Sequence, residues 1–496
     1  MANEFNRISR DRGLVNAANG RRRCQGGGGR KFGIATALLA AALLCGLAAR
    51  AGAQDLSGYT RATFEQWFKQ YQNAKPDFKP GDTLTANDLE RMRPFVPPGY
   101  LEQLSFPEFR MEIAQPEKHA PSAAYMACTE KYGAQVRLAP DGALSNYRCG
   151  QPFPQLDASD PQAGIKAEWN FDYHWDNYGL QNLDVLWIWD RFGGTHEATA
   201  PTAIEAPPAG LFEGINYTSK LPTDVSHDFG GGGAFERTLN ASYQRVRFSH
   251  LAQLDGAPLP FEGAADYEWK EMTYFYEPFD IRGTAFVIFR REDPHLAESA
   301  WAYVPNLRRV RRVSSEVKSD SLLGTDMVLD DFYAFNGRPL DWTWKFWGFK
   351  DILGVTDSKY QYLHTYGPNG QIPDDRWSLR RCVVLERIPK LPRYPYSSAW
   401  MFLDAEAYNA LYHFAFDVKG KLWKTNQWQW KYSEDTKEFA EVLHGTNTMW
   451  FQNVSTTDVQ NKRATLIPCY GGGYPNLTPE QVKRIFDVNR LEEFHR

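Results

Sequence analysis

From about Glu112 onward, apolar and polar residues alternate in short runs separated by turn residues. The runs include EKYGAQVRL, ALSNYRC, EWNFDYHW, LWIWDRF, LNASYQRVRF, YEWKEMTYFYEP, IRGTAFVIFRRED, SAWAYVP, LRRVRRV, CVVLERI, SSAWMFLDA, LYHFAFDV and KLWKTNQWQWKY. A period of two puts successive side chains on opposite sheet faces, and no regular helices intervene, so the pattern predicts an antiparallel sheet or barrel and argues against a parallel βαβ fold. Between Tyr59 and Arg93 the period changes: Phe64, Trp67, Phe68 and Tyr71 recur three and four apart, and Thr85-Ala-Asn-Asp88 marks a second helix start. Pro94, Pro97 and Pro98 end this helical stretch. The chain closes on LTPEQVKRIFDVNRLEEFHR, where Thr478 can cap, Pro479 takes the first helical position and Gln481 completes a capping box. The expected organisation is a helical segment over 54–111 and a β domain over 112–496 ending in a helix, with 54–496 able to form one domain.

The first 53 residues change the picture of where the chain works. Arg21 to Arg23, Arg30 and Lys31 precede an uncharged run from Phe32 to Ala49, followed by Ala51-Gly52-Ala53. A basic flank, an apolar stretch and a small-x-small site read as a secretory signal cleaved between Ala53 and Gln54. The alternative is a retained anchor, since the run is near the lower limit of a membrane span. Cleavage would leave 47 basic and 58 acidic residues, a net charge of −11. An acidic, exported chain has little use for nucleic acid. Aromatic residues make up 15% of the 496 residues, an excess that suits strands and apolar pockets.

Four cysteines follow the signal: Cys128, Cys149, Cys382 and Cys469. In an oxidising compartment they allow up to two disulfides. Cys128 with Cys149 is the favoured pair, because the two bracket a hairpin turn at Ala139-Pro140-Asp141-Gly142.

Most apparent catalytic and binding motifs dissolve on inspection. The glycine run in SHDFGGGGA, residues 226–234, lacks a following Gly-Lys-Ser/Thr and reads as a loop, as does ATAPTAIEAPPAG, residues 198–210. RGTAFVIF, Arg282 to Phe289, resembles an RNA-binding octamer but has Thr284 where a base-stacking aromatic belongs. His196-Glu197 has no second histidine at Ala200, and Ser315-Glu-Val-Lys318 lacks its companion motifs. In FDYHWDN a strand would put Asp172, His174 and Asp176 on one side, but neighbours two apart lie about 7 Å from each other, too far for one metal ion without help. No catalytic residue, metal or cofactor is assigned.

The arginines of LRRVRRV are divided by strand alternation: Arg308, Val310 and Arg312 point one way, Arg309, Arg311 and Val313 the other. They either meet carboxylates on neighbouring strands, with Glu268 and Glu271 as candidates, or recognise an anionic head group or partner.

Three segments together resemble a known family: SAWAYVPNLRRVRRV, WMFLDAEAYNALYHFAFDVKGKLWK, and YRCGQPFPQLDASDPQAGIKAEWN with its Gly150-Gln-Pro152-Phe153-Pro154 element. They are similar to bacterial domain-of-unknown-function family 1329, grouped with outer-membrane lipoprotein-sorting proteins. The middle segment also looks like the strand, Asp-bearing turn and strand of periplasmic lipoprotein carriers, with Asp404 and Asp417-Val-Lys-Gly420 at the turns. The resemblance implies a large antiparallel sheet curled into an incomplete barrel, helices over its open side and an apolar cavity between. It further implies a periplasmic carrier or envelope adaptor for a lipid or other hydrophobic molecule, peripheral at the outer membrane in one version. Its expected partners are an inner-membrane exporter of the resistance-nodulation-division type and an outer-membrane protein. Alternating strand faces nominate Trp269, Phe286, Ile288, Trp301, Tyr303, Trp400 and Phe402 as cavity lining, with plain core packing as the alternative for each. Two other classes stay open: a carbohydrate-binding β protein using Trp and Tyr platforms, and an enzyme with a site near His174.

Overall fold

Thr60 opens the first helix, α1 (Arg61–Tyr71), through a reciprocal capping box with Thr63, and Phe64, Trp67 and Phe68 form its buried face. In this computed structural model the structure describes residues 56–175, 180–191, 218–219, 234–314, 318–361, 363–367, 370–437, 440–473 and 478–495. The signal segment with its Ala53–Gln54 junction, the loops at 198–210 and 226–233, Asp176, His196 and Ser315 lie outside these residues. Residues 51–496 form one compact unit.

The strands are β1 (Thr83–Thr85), β2 (Arg110–Ala114), β3 (Arg137–Leu138), β4 (Leu144–Ser145), β5 (Leu180–Arg191), β6 (Thr218–Ser219), β7 (Ala234–Arg247), β8 (Tyr267–Glu277), β9 (Ala285–Arg291) and β10 (Ser299–Val304). They continue as β11 (Arg309–Val313), β12 (Trp342–Gly354), β13 (Thr365–Tyr366), β14 (Ile372–Pro373), β15 (Arg376–Pro389), β16 (Tyr396–Asp404), β17 (Ala410–Asp417), β18 (Leu422–Tyr432), β19 (Met449–Asp458) and β20 (Arg463–Gly473). Among the described residues, sixteen strands join one sheet in the order β1-β2-β15-β16-β17-β18-β19-β20-β5-β7-β8-β9-β10-β11, with β12 also on β15 and β6 on β20. All of its pairings are antiparallel except β2 with β15. β1 and β2 come from the 54–111 segment, so that segment is woven into the sheet as well as contributing α1 and the short α2 (Leu89–Met92). Among the described residues four more α-helices follow: α3 (Ala123–Tyr132), α4 (Ala163–Asp172), the one-turn α5 (Ala440–Leu443) and α6 (Pro479–Ile485).

The sheet is curled, and one connecting segment shows it. Residues 326–337, between β11 and β12, touch strands from far apart in the sheet order. Phe332 stacks on Tyr243 of β7, Tyr333 meets Phe451 of β19, Asp331 takes the guanidinium of Arg387 in β15, and Arg290 of β9 donates to the Asn336 carbonyl. Only a sheet bent around this segment brings β15 and β9 to the same few residues. The inner face therefore carries Tyr243, Glu271, Phe286, Ile288, Arg387, His413 and Trp428, and the outer face carries their neighbours. Helices cover the outer face at two places: α1 lies on Trp400, Phe402, Phe414 and Phe416, and α6 with the turn after it packs on Met272, Tyr274, Val287, Phe289 and Tyr303. Thr478 caps α6 with Gln481 in the expected capping box and Pro479 in the first turn.

Three local expectations change. EWNFDYHW is not a strand: its first five residues end α4, whose buried Gly164, Ala167, Glu168 and Phe171 follow helical spacing. Ala163 to Glu168 are mostly good helix formers, and Gly164 permits close packing, because a Cβ there would run into the Trp344 carbonyl of β12. Much of EKYGAQVRL is helical too, belonging to α3 and a following 3-10 turn. Arg308 does not continue β11; it stands in the left-handed region, φ +45°, closing the 3-10 turn Pro305–Leu307. The hairpin β3–β4 forms around Ala139–Gly142, and Cys128 and Cys149 are joined with an S–S distance of 2.07 Å. Cys382 and Cys469 are not joined. They lie on β15 and β20, five strands apart in the sheet.

Candidate functional site in the curl of the sheet

Where the sheet bends, Tyr243, Trp428, Phe451, Val454 and Ile467 form an apolar wall. Met327, Phe332 and Tyr333 of the connecting segment press into it, leaving a hollow of about 20 Å³. That is room for about one water and no more, so the rest of the apolar space is occupied by the protein's own side chains. The backbone here is unusual for its residue types: Tyr333 and Ala334 both have positive φ, +56° and +81°. Such conformations cost on the order of 1–3 kcal/mol each and persist only where surrounding contacts impose them. Trp428 lines the hollow, and its indole N–H finds no acceptor among the described residues.

Charged groups hold the segment at both ends. At its start, Lys424 donates to the Asp326 carbonyl at 2.6 Å, and Thr465 Oγ1 accepts from the Asp326 amide and donates to its carboxylate, each at 3.0 Å. Burial pushes the Asp326 carboxyl up to about 6, with Asp458 adding to it, against the opposing pull of Arg463, Thr465 and Lys424. In the middle, Asp331 receives Arg387 and the Tyr396 hydroxyl, the latter at 2.6 Å. His413 lies beside them; burial and the adjacent Arg387 and Lys424 push its pKa well down, so its ring is neutral. Its Nε2 accepts from Arg387 at 2.9 Å, and its Nδ1 lies 2.6 Å from the side-chain nitrogen of Asn426. At the far end, Asn336 donates to Glu271, which also takes Tyr243 at 2.7 Å and Arg245 at 2.8 Å.

The same segment borders a second, larger space. A cleft of about 560 Å³ is walled by Glu298, Lys318, Asp330, Arg338, Asp341 and Tyr394 among others, so it is polar where the hollow is apolar. Glu298 bridges Lys318 at 3.1 Å and Arg290 at 2.9 Å. Burial opposes the Glu298 carboxylate, but the two cations outweigh it and hold its pKa below the ordinary value. Asp330, 3.5 Å from Lys318, has its pKa raised by burial and accepts from Tyr394 at 2.9 Å. Residues 326–337 thus separate an apolar hollow from a charged cleft.

The seven nominated lining residues do not share one space. Trp269, Phe286 and Ile288 lie on the inner face. Trp301 and Tyr303 are on the outer face in the cluster around α6, and Trp400 and Phe402 pack under α1. Alternation showed that these positions pair up by face, but which face turns inward is decided by what covers the other. None of the seven lines the hollow. The carboxylates named as partners for the arginines are also engaged elsewhere: Glu268 with Arg247 at 2.9 Å and Glu271 with Arg245. Arg308, Arg309, Arg311 and Arg312 stay exposed, and no carboxylate among the described residues pairs with them. His174 is buried just beyond α4, stacked on Phe171 with its Nδ1 against the Phe171 carbonyl. Asp172 turns instead toward Arg290, at 3.6 Å. Trp400, Trp428 and Trp430 are buried and present no open face to a sugar ring.

The residues that matter most here, Asp326 to Tyr333, carry no period and drew no attention as sequence. The one available signal was DDFY, Asp330 to Tyr333, two adjacent carboxylates beside two aromatics in a stretch with neither helical nor strand spacing.

Comparison with known proteins places the chain. No curated protein matches it. Among solved structures it is similar to one described as an outer membrane lipoprotein-sorting protein domain from Vibrio parahaemolyticus, at 17% identity and TM-score 0.41, covering 67% of this chain and 100% of that one. A DUF1329 family protein from Desulfovibrio piger is 15% identical with TM-score 0.42 and the same coverage of both chains. A LolA superfamily protein from Nitrosomonas europaea is 12% identical with TM-score 0.32, covering 61% of this chain and 90% of that one. The family model for a protein of unknown function, DUF1329, matches residues 83–206 and 231–491, which together are most of the chain, and the protein belongs to that family.

Proposed function

We propose that this protein is an envelope carrier for a lipid-like amphiphile, and that residues 326–337 hold the guest's place when it is empty. The observation that carries the reading is the pair Phe332 and Tyr333: the inner apolar wall is covered by two rings from a strained connecting segment and not by neighbouring strands. An acyl chain displacing those rings would recover their burial, worth about 0.8 kcal/mol per enclosed methylene. Its polar end would reach the charged cleft on the other side of the segment. No chemical step is required of any residue. The compartment is the periplasm, with signal cleavage after Ala53 and peripheral contact at the outer membrane. In this reading a resistance-nodulation-division exporter and an outer-membrane protein load and unload the carrier, as the family resemblance implies.

The test is native mass spectrometry and solvent extraction of the protein from its own envelope, alongside titration with a fluorescent fatty acid. A stoichiometric lipid, or saturable uptake strengthened in Phe332→Ala/Tyr333→Ala, supports the proposal. Empty protein that ignores fatty acids and sterols, in both the native chain and the folded double variant, overturns it.

A further inference from the structure

One end of the sheet carries a surface that the carrier reading does not use. Tyr274, Ala285, Tyr303 and Val310 are successive partners across β8, β9, β10 and β11. Their antiparallel order brings the β8–β9 turn, residues 278–284, and the β10–β11 turn, residues 305–308, to the same end. Each turn exposes a large apolar side chain: Phe279 is 85% exposed and Leu307 47%. Arg308 follows Leu307 directly, and Arg309, Arg311 and Arg312 continue along β11, the edge strand, all exposed and without a carboxylate partner among the described residues. The acidic groups at the first turn are already answered, Glu277 by Arg282 and Asp280 by Arg237. Four uncompensated positive charges thus gather on a chain whose formal net charge is −4.

We infer that this end of the sheet docks on an anionic phospholipid surface. Phe279 and Leu307 enter the boundary between head groups and acyl chains, Arg308 and Arg309 beside the turn bind lipid phosphates, and Arg311 and Arg312, on opposite faces of the edge strand, add to the attraction. Arginine suits phosphate through its planar, bidentate donors, and basic residues near an anionic surface each add about 1 kcal/mol of attraction. Two isolated apolar tips on separate turns fit an interface that yields around them; a protein partner would call for a contiguous packed patch. Charged edge strands also serve to prevent strand-to-strand aggregation, and that role alone would give no affinity for lipid.

The experiment is co-flotation of the purified protein, residues 54–496, with vesicles of phosphatidylcholine alone or mixed with phosphatidylglycerol, at low and high salt. Expected is binding to the mixed vesicles that falls at least tenfold in high salt and at least tenfold in Arg308→Gln/Arg309→Gln/Arg311→Gln/Arg312→Gln. Phe279→Ser/Leu307→Ser should weaken binding several-fold while leaving its salt dependence. Circular dichroism and Tm establish that the variants are folded. An environment-sensitive dye on Phe279→Cys should shift to the blue with mixed vesicles and be quenched by doxyl-labelled lipid. Failure of the native protein to float, flotation unchanged by loss of the arginines, or a preference for polyglutamate over the mixed vesicles would each overturn the inference. None of these outcomes depends on whether the hollow carries a guest.

Discussion

Phe332 stacks on Tyr243 with ring centroids 5.4 Å apart and planes within 25°. One ring belongs to a strand of the sheet and the other to the segment between β11 and β12, so this contact closes the inner hollow. Truncating Phe332 to Ala should cost about 3 kcal/mol or more, since a buried Phe→Ala change loses both transfer energy and packing. If the ring stands in for a guest, a long-chain fatty acid should restore much of that loss in Phe332→Ala and little in the native chain. Urea unfolding with and without the fatty acid measures both.

Asp326 sets a pH dependence. Its carboxyl is raised to about 6 in the folded chain, above the ordinary carboxylate value, chiefly by burial. A raised folded pKa means that the protonated form stabilises the fold, so this contribution is complete below about pH 4, is lost as pH rises through 6, and then levels off. The charged neighbours at Asp326 are Arg463, Lys424 and Asp458, and the first two limit the shift. Proteolysis within residues 326–337 should therefore quicken between pH 5 and pH 7.5. Asp326→Asn should flatten that dependence; an unchanged profile in the variant would assign it to another group.

The buried pair of Arg387 and Asp331 should prove costly to break and cheap to replace. Asp331→Ala leaves a fully buried guanidinium without its carboxylate, a change worth about 3–5 kcal/mol. Replacing both, as Arg387→Met/Asp331→Leu, should cost clearly less than the two single changes together. A double-mutant cycle in urea gives the coupling, and additive costs would mean the pair is not linked as the geometry indicates.

Reducing the Cys128–Cys149 bond should lower stability by about 3 kcal/mol, the value for a loop of this length in the chain-entropy account. Cys382 is fully buried, and burial pushes its thiol well above the ordinary value. It should resist alkylation in the native chain and react only on unfolding, which timed labelling with mass spectrometry would show.

What the sequence by itself determined is what neighbouring residues decide. Period-two alternation set most of the strands, Thr85 and Thr478 marked helix or turn starts whose caps form as expected, and Ala139–Gly142 made the hairpin between Cys128 and Cys149. These are short-range matters of steric fit and hydrogen bonding. Alternation also sorted Trp301 with Tyr303 and Trp400 with Phe402, but it could not say that α6 and α1 would cover them and turn the opposite face inward. Only the tertiary structure brought Asp326, Asp331 and Phe332 into the curl, because their conformation is imposed by Lys424, Arg387 and Tyr243 from distant strands. A segment held by such partners, with no period of its own, leaves almost no local trace for a reader of the chain.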